Sequence, residues 1–324
     1  MSLIGISTIL KIKLVNSQLF YCIFFNRGIF IGKNFTFFIK NLLGGNMESD
    51  LRPDQILAKA SATYEKKARQ NIKKTLVLSF IAGIFIALGA VASTLASFNL
   101  LADPNKIGLG KLIQGLTFTP GLIFVLIAGG ELFTGNNLMA IGFLDKKISV
   151  GDLLKSWLIV YFGNFIGSIF VAFLIYKSGQ WQIADNDLAA RVILIANQKI
   201  NLSFSQGLIL GIFCNFLVCL GVWMALGAKD YVGKVASAIF PVVAFVVSGF
   251  EHSVANMYYI PAGIFAKNIP AFVEKTGLSL DDLSHLNFLN MVTKNLIPVT
   301  LGNIIGGAIL VGLLYFIAFK EKEN

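Results

Sequence analysis

Charged residues are scarce in this sequence. Asp, Glu, Lys and Arg make up 14% of the 324 residues and hydrophobic residues make up 56%, with a mean hydropathy of +0.74. A soluble domain cannot hide that much apolar surface, so the composition indicates an integral membrane protein. The apolar runs are long and continuous rather than alternating, which favours an all-α fold over a β-barrel.

Cysteine and histidine are also rare, with three and two copies. Cys214 and Cys219 lie five residues apart in an apolar stretch, so with Cys22 they indicate packing and neither a disulfide framework nor a metal cluster. The sequence has no nucleotide-phosphate loop and no activated Ser or Cys. We therefore predict no metal and no cofactor, and most enzyme classes are disfavoured.

Basic residues lie mostly between the apolar runs. The net charge of +10 therefore predicts contact with membrane lipid headgroups and not with nucleic acid. If the amino end is inside, the inner segments hold fourteen Lys and Arg residues and the outer segments hold eight. This asymmetry predicts a multi-pass protein of the plasma (inner) membrane with both termini in the cytoplasm.

The chain divides into three predicted regions. Residues 1–46 hold five basic residues, no acidic residue and no clean signal-peptide cleavage site. Leu43-Gly44-Gly45 can be encoded by a bacterial ribosome-binding sequence, so we expect that translation starts at Met47 and that this extension is not made. Residues 47–74 are predicted to form a cytoplasmic amphipathic helix, and residues 75–320 are predicted to form the membrane domain.

Six apolar segments predict six membrane-spanning helices, because about 20 residues are needed to cross the hydrocarbon. They cover about 75–101, a run from near 111, about 153–176, about 203–227, a run from near 234, and about 295–319. The second and fifth are interrupted, at 129–137 and 249–256. An interrupted helix frees backbone groups that lipid cannot satisfy, so it is tolerated only inside protein or beside a wet cavity.

Two motifs recur in the same order along the chain. Gly-x-Glu with an Asn five residues after the Glu occurs at Glu131 and at Glu251, and Gly-Asn-x-x-Gly occurs at Asn164 and at Asn303. Because the repeat unit is three spans, the second unit starts from the opposite side of the membrane. The sequence thus predicts inverted three-helix repeats whose two broken helices meet near the midplane and form a site.

The second interruption places Glu251 and His252 side by side in an uncharged run. An ionisable side chain at membrane depth costs at least about 2.5 kcal/mol, so its default interpretation is functional. Glu131 and Glu251 can accept hydrogen bonds from the freed backbone N–H groups, and we expect both to hold their loops. One alternative is a membrane enzyme that uses Glu251 and His252 as an acid–base pair.

Five stretches resemble the formate/nitrite transporters and follow that family's order across nearly all of 50–319. Residues 1–46 have no counterpart in the resemblance. The stretches are Gly130-Glu131-Leu132-Phe133-Thr134-Gly135, Tyr161-Phe162-Gly163-Asn164, Asn215-Phe216-Leu217-Val218-Cys219-Leu220, Gly249-Phe250-Glu251-His252-Ser253-Val254-Ala255-Asn256-Met257, and Asn295-Leu296-Ile297-Pro298-Val299-Thr300-Leu301-Gly302-Asn303-Ile304-Ile305-Gly306-Gly307.

The resemblance implies an aquaporin-like homopentamer of six-helix protomers, each with its own pore for a small monovalent anion. It implies that His252 is the central pore histidine, that Thr134 is its hydrogen-bond partner, and that Glu251 positions the loop. The other implied pore residues are the apolar constrictions Phe118, Phe245, Leu122 and Leu132, the vestibule lysine Lys199, and the polar residues Asn215 and Asn303. Asn164 is interpreted as a residue that forms hydrogen bonds between helices.

The identity of the anion is open from these residues. The Phe-rich lining and Ile297-Pro298-Val299-Thr300 resemble formate members. Two other stretches are nearer to nitrite members, Glu131-Leu132-Phe133-Thr134-Gly135 and Trp223-Met224-Ala225-Leu226, and hydrosulfide members share the fold. His252 can donate a hydrogen bond, hold positive charge, or hand over a proton so that a neutral acid passes. We predict a formate channel or proton-coupled transporter. An aquaporin-like neutral pore is disfavoured because paired Asn-Pro-Ala motifs are absent.

Overall fold

The computed structural model describes residues 50–320. The predicted extension 1–46 and its proposed end at Met47 lie outside the described residues. Within the described range every regular element is helical and there is no β-strand. The α-helices are α1 (Pro53–Ala68), α2 (Ile72–Ala102), α3 (Ile107–Phe124), α4 (Phe133–Asn136), α5 (Ala140–Leu144), α6 (Val150–Ser178), α7 (Asp187–Ile200), α8 (Phe204–Gly227), α9 (Tyr231–Val247), α10 (Ser253–Ala266), α11 (Pro270–Glu274), α12 (Phe288–Asn290), α13 (Ile297–Ile304) and α14 (Leu314–Phe319).

Five continuous helical segments in the described part are long and apolar enough to cross a membrane. They are Ile72–Ala102, Pro104–Gly129, Val150–Ser178, Phe204–Gly227 and Phe288–Phe319. The remaining expected span, the fifth, consists of two shorter helices, α9 and α10, on either side of an interruption. The prediction of an all-helical membrane fold is confirmed.

Both predicted interruptions are present, and each is shorter than expected. The first break covers 130–132 and the second break covers 248–252. Gly129 and Gly249 have φ values of 99° and 71°, which glycine adopts without the steric penalty of a side chain. A left-handed glycine is a common end of a helix, so each Gly-x-Glu motif begins by stopping a half-helix.

The boundary between the amphipathic helix and the first span differs from the prediction, which ran to residue 74. Helix α1 ends at Ala68 and α2 starts at Ile72. The side chain of Asn71 accepts the N–H of Lys73 at 2.9 Å, and this cap starts the new helix before the apolar run begins. The face of α1 that packs on the membrane domain is formed by Ile56, Leu57, Ala60, Ser61 and Tyr64.

The Gly-Asn-x-x-Gly motifs bring the third helix of each repeat against the first. Gly167 on α6 faces the carbonyl of Phe80 on α2, and Gly306 in the last span faces the carbonyl of Ile212 on α8. A Cβ at either glycine would collide with that carbonyl oxygen. Small residues allow such close backbone approach between membrane helices. The same contact therefore occurs once in each repeat.

Candidate functional site

The first break is held by the buried carboxylate of Glu131. Its Oε2 accepts hydrogen bonds from Asn136 Nδ2 at 2.7 Å and from Lys67 Nζ at 2.9 Å. The N–H of Glu131 donates to the carbonyl of Leu78 at 3.2 Å. Lys67 lies on α1 and also donates to Asn136 Oδ1 at 2.9 Å. The amphipathic helix is thereby bonded directly to the first break.

The second break is held by Glu251 in the same manner. Its Oε2 accepts from Asn256 Nδ2 at 2.6 Å, and its Oε1 accepts from Lys199 Nζ at 2.8 Å. The N–H of Glu251 donates to the carbonyl of Leu210 at 3.3 Å. The recurring Gly-x-Glu…Asn pattern therefore corresponds to one recurring bonded unit, a carboxylate between an asparagine five residues later and a lysine.

Asn164 braces the first break from α6. Its Oδ1 accepts the N–H of Phe133 at 2.9 Å, and its Nδ2 donates to the carbonyls of Ser79 at 2.7 Å and Glu131 at 2.9 Å. The side chain is fully buried. One amide thus satisfies an N–H at the start of α4, a carbonyl of the break and a carbonyl of α2.

Asn303 makes the equivalent set of contacts in the second repeat. Its Oδ1 accepts the N–H of Ser253 at 2.9 Å, and its Nδ2 donates to the carbonyls of Gly211 at 2.8 Å and Glu251 at 3.0 Å. The sequence interpretation assigned Asn164 to hydrogen bonding between helices and Asn303 to the pore lining. The structure buries both completely and gives both the same kind of backbone partners.

Asn215 joins the two repeats. Its Nδ2 lies 2.7 Å from Asn137 Oδ1, 2.7 Å from the Asn303 carbonyl and 3.2 Å from the Thr134 carbonyl. Cys219 Sγ donates to the same Thr134 carbonyl at 3.2 Å. Asn215 is fully buried and lines neither of the two cavities described below, so its amide acts here on the backbone of both halves.

His252 and Thr134 meet where the two breaks approach each other. His252 Nε2 lies 2.9 Å from Thr134 Oγ1, although the residues are 118 positions apart. His252 Nδ1 accepts the N–H of Ala255 at 3.0 Å, which caps the start of α10. Because Nδ1 is an acceptor, the neutral ring carries its hydrogen on Nε2 and donates it to Thr134 Oγ1.

Two cavities lie on opposite sides of this pair. The Lys199 cavity has a volume of about 100 Å³ and includes Phe118, Phe245 and His252 in its wall. The Lys67 cavity has a volume of about 390 Å³ and includes Leu122 and Leu132. The predicted apolar residues are thus divided between the two sides of the His252–Thr134 hydrogen bond.

Aromatic packing surrounds the histidine in the wall of the Lys199 cavity. The ring centroids of Phe118 and Phe245 are 5.8 Å apart in an edge-to-face arrangement. Phe245 also stacks on the His252 ring at 5.9 Å between centroids. All three side chains are at most 4% exposed. The two phenylalanine rings therefore pack as one apolar cluster with His252 in the cavity wall.

Lys67 is the site residue that sequence reasoning missed. The spacing within α1 marked Lys67 only as one of several basic residues on an amphipathic helix. Its partner Glu131 is 64 residues away, and no local pattern identifies that contact. Asn136 and Asn256 were visible as part of the repeat, but their bonds to the glutamates required the folded chain.

Comparison with known proteins decides the family. The sequence model of a family described as formate/nitrite transporter matches residues 54–317. The chain belongs to the formate/nitrite transporter family. This is a family of channels and transporters, so the prediction of a multi-pass membrane transporter is confirmed and the alternative of a Glu251/His252 enzyme is set aside.

Several curated members of the formate/nitrite transporter family are similar over almost their whole length. The formate channel FocA of Escherichia coli (strain K12) is 37% identical over 285 residues, which is 86% of this chain and 99% of that protein. A probable formate transporter of Methanothermobacter thermautotrophicus is 36% identical over 291 residues, which is 85% of this chain and 100% of that protein.

Solved structures of the family share the fold. A pentameric formate channel with formate bound has a TM-score of 0.69 and 38% identity, covering 77% of this chain and 98% of that one. An ion channel of the same family also has a TM-score of 0.69, with 31% identity over 82% of this chain and 98% of that one.

Proposed function

We propose that this protein is a homopentameric formate channel of the plasma (inner) membrane, with both termini in the cytoplasm and lipid around its outer surface. Similarity to formate channels supports the substrate, and the pentameric relative supports the assembly. The observation that carries the proposal is the buried His252–Thr134 hydrogen bond of 2.9 Å between two cavities.

The path runs from the Lys199 cavity to the Lys67 cavity through the two breaks. A formate ion that leaves the Lys199 cavity passes Phe118 and Phe245, meets His252 and Thr134, and continues past Leu122 and Leu132. Apolar rings remove most of the water from a small anion, which is costly unless a donor replaces it. His252 and Thr134 are the polar groups in our path that do this.

The hydrogen-bond pattern gives His252 and Thr134 separate tasks. Because His252 donates its Nε2 hydrogen to Thr134 Oγ1, the Thr134 hydroxyl hydrogen is left to donate to the anion. Protonation of His252 at Nδ1 would break the bond from the Ala255 N–H. Proton transfer to the anion therefore requires the imidazole ring to rotate away from the Ala255 N–H. With the imidazole bound to the Ala255 N–H, formate instead passes as an ion that accepts a hydrogen bond from Thr134.

Competitive flux decides the substrate. We would reconstitute the full chain in liposomes and measure uptake of formate, nitrite and hydrosulfide at two pH values. Formate is expected to pass fastest and to compete with the other two. Faster nitrite or hydrosulfide flux would assign the protein to that substrate, and flux of neutral solutes alone would refute an anion channel. A rise in formate flux at lower pH would support proton coupling.

The role of His252 is tested by His252→Ala, with His285→Ala as the matched control because it is the other histidine of the chain. Removing the imidazole that orients the Thr134 hydroxyl toward the anion is expected to reduce formate flux by about 100-fold, and to remove its pH dependence. His285→Ala should leave both unchanged. If His252→Ala kept the flux and its pH dependence, the proposed mechanism would be wrong.

A further inference from the structure

The Lys199 cavity has three cationic side chains in its wall, Lys111, Arg191 and Lys199, against one carboxylate, that of Glu251. Lys199 is already bound to Glu251 at 2.8 Å. Within residues 50–320 no hydrogen bond or ion pair reaches the side chains of Lys111 or Arg191. The charge of Glu251 is thus compensated by Lys199, and two cations remain for a ligand.

Arg191 is the more unusual of the two. It lies on α7 with its side chain half-buried, and its Nε is buried with no acceptor in the described part of the chain. Buried donors in folded proteins nearly always have a partner, and a guanidinium has five donors to satisfy. Because Arg191 also lies in the wall of the Lys199 cavity, its guanidinium can bind a partner that enters from solution.

The polar groups around Arg191 suit an anion. Gln114 is 8% exposed and its amide makes no hydrogen bond to the described residues, so its N–H groups can also donate into the cavity. The cavity volume of about 100 Å³ exceeds the roughly 15 Å³ that a single water molecule requires. A small anion with part of its hydration shell therefore fits.

The geometry of a guanidinium adds selectivity to this charge. Two of its N–H groups point in parallel and match two oxygens of one planar anion, whereas an ammonium attracts any anion as a point charge. Formate and nitrite present two such oxygens, and hydrosulfide presents none. Lys111 and Lys199 would attract all three anions, and Arg191 would distinguish among them.

We propose that Arg191, with Lys111 and Gln114, forms an anion-binding subsite at the Lys199 mouth of the channel that prefers planar two-oxygen anions to hydrosulfide. The inference rests on the proposed function, because it concerns the anions that the channel carries. It assigns the capture step to Arg191, whereas Lys199 is mainly committed to holding the second break.

The test compares Arg191→Gln, Arg191→Lys and the control Lys294→Gln in liposomes that contain the full chain. Lys294 is exposed and outside the cavity wall, but its neighbour Asn295 donates to the Lys199 carbonyl at 2.9 Å, so it lies at the same end. Arg191→Gln should raise the half-saturating formate concentration about tenfold, because a charge-assisted pair is lost. The maximal rate should stay within about twofold, since the constriction is intact.

The anion dependence of this effect is decisive. In Arg191→Gln, the half-saturating concentration should rise much less for hydrosulfide than for formate. In Arg191→Lys, the half-saturating concentration should return to the wild-type value for hydrosulfide and only part of the way for formate. An equal shift for both anions, or a formate shift no larger than that of Lys294→Gln, would overturn the subsite.

Direct binding separates this inference from the proposed function. Line broadening of ¹³C-formate by the purified wild-type protein in detergent should be lost in Arg191→Gln and kept in Lys294→Gln. Wild-type liposomes that carry no formate would refute the formate channel, while Arg191-dependent broadening would still support the subsite. Absence of Arg191-dependent broadening would refute the subsite, even if formate flux were normal.

Discussion

The two breaks share a scaffold and differ in one chemical group. Each has a left-handed glycine at its beginning or directly before it. Each also carries a buried glutamate bonded to an asparagine five residues later and to a lysine, and is braced by an asparagine of the third helix. The residue just before the following helix is Leu132 in the first break and His252 in the second. The repeat therefore builds the same hydrogen-bonded arrangement twice, whereas only the second break carries an imidazole.

The lysines of the two breaks come from different parts of the chain. Lys67 is on α1, before the first span, and its side chain is 27% exposed. Lys199 is on α7, between the third and fourth spans, and its side chain is 16% exposed. The second break thus relies on the connection between the two repeats, and the first relies on a helix added in front of them.

The largest expected effect comes from removing either asparagine brace. Asn164→Leu and Asn303→Leu each leave one buried N–H and two buried carbonyls without their hydrogen bond to the asparagine amide. Each such group lowers the free energy of unfolding by about 1–3 kcal/mol. Both variants should lose most of their folded yield and thermal stability in detergent, because total stability is of similar size. Asn201→Leu, at an exposed position, is the control and should behave as wild type.

The outcome for Asn303 also sharpens the comparison. If Asn303→Leu folded as well as wild type and lost only formate flux, Asn303 would be a pore residue, as the sequence first suggested, and the equivalence with Asn164 would fail.

A smaller effect is expected from removing either lysine. Lys67→Met and Lys199→Met each leave a buried carboxylate without its cation, which costs up to about 3 kcal/mol. Lys199→Met should be the more destabilising in thermal unfolding, because its pair is the less exposed. Lys66→Met, an exposed neighbour on α1, is the control.

A second substitution tests the cause of this loss. Glu131→Gln should rescue Lys67→Met, and Glu251→Gln should rescue Lys199→Met, since no uncompensated charge then remains. Failure of both double variants to recover stability would show that packing of the lysine stems, and not their charge, supports the breaks.

The smallest effect should come from the contact that fastens α1 to the last span. Asp145 binds Ser61 at 2.6 Å and also Lys320. Burial opposes its ionisation, but the hydrogen bonds from Lys320 and Ser61 outweigh this and lower the pKa of Asp145. A lowered folded-state pKa stabilises the fold above the unfolded value of about 4, and the benefit is lost as pH falls through the folded value.

Asp145→Asn should therefore cost about 1 kcal/mol at neutral pH, and the difference from wild type should vanish in acid. Hydrogen exchange should rise at 130–132 and stay unchanged at 248–252, because only the first break depends on α1. Asp281→Asn, the same change at an exposed position away from α1, is the control. Equal exchange at both breaks would contradict the separate support of the two repeats.

Much of the fold was predictable because its signals are local. Four spans appear as uninterrupted apolar runs, and a Gly-x-Glu motif marked both breaks. The end of α1 was placed too late, since Lys73 and Lys74 resemble the amphipathic segment although Asn71 caps a new helix before them. The site residues were predicted only in part, and their assigned roles depended on the family resemblance.

By itself the sequence determined the membrane class, the helices, the positions of the breaks and the order of the two repeats, because hydropathy and spacing act over a few turns of helix. Only the tertiary structure decided which groups meet. Thr134 and His252 are 118 residues apart, and Lys67 and Glu131 are 64 apart. Such pairs form because each buried polar group must find a partner wherever the packed helices bring one.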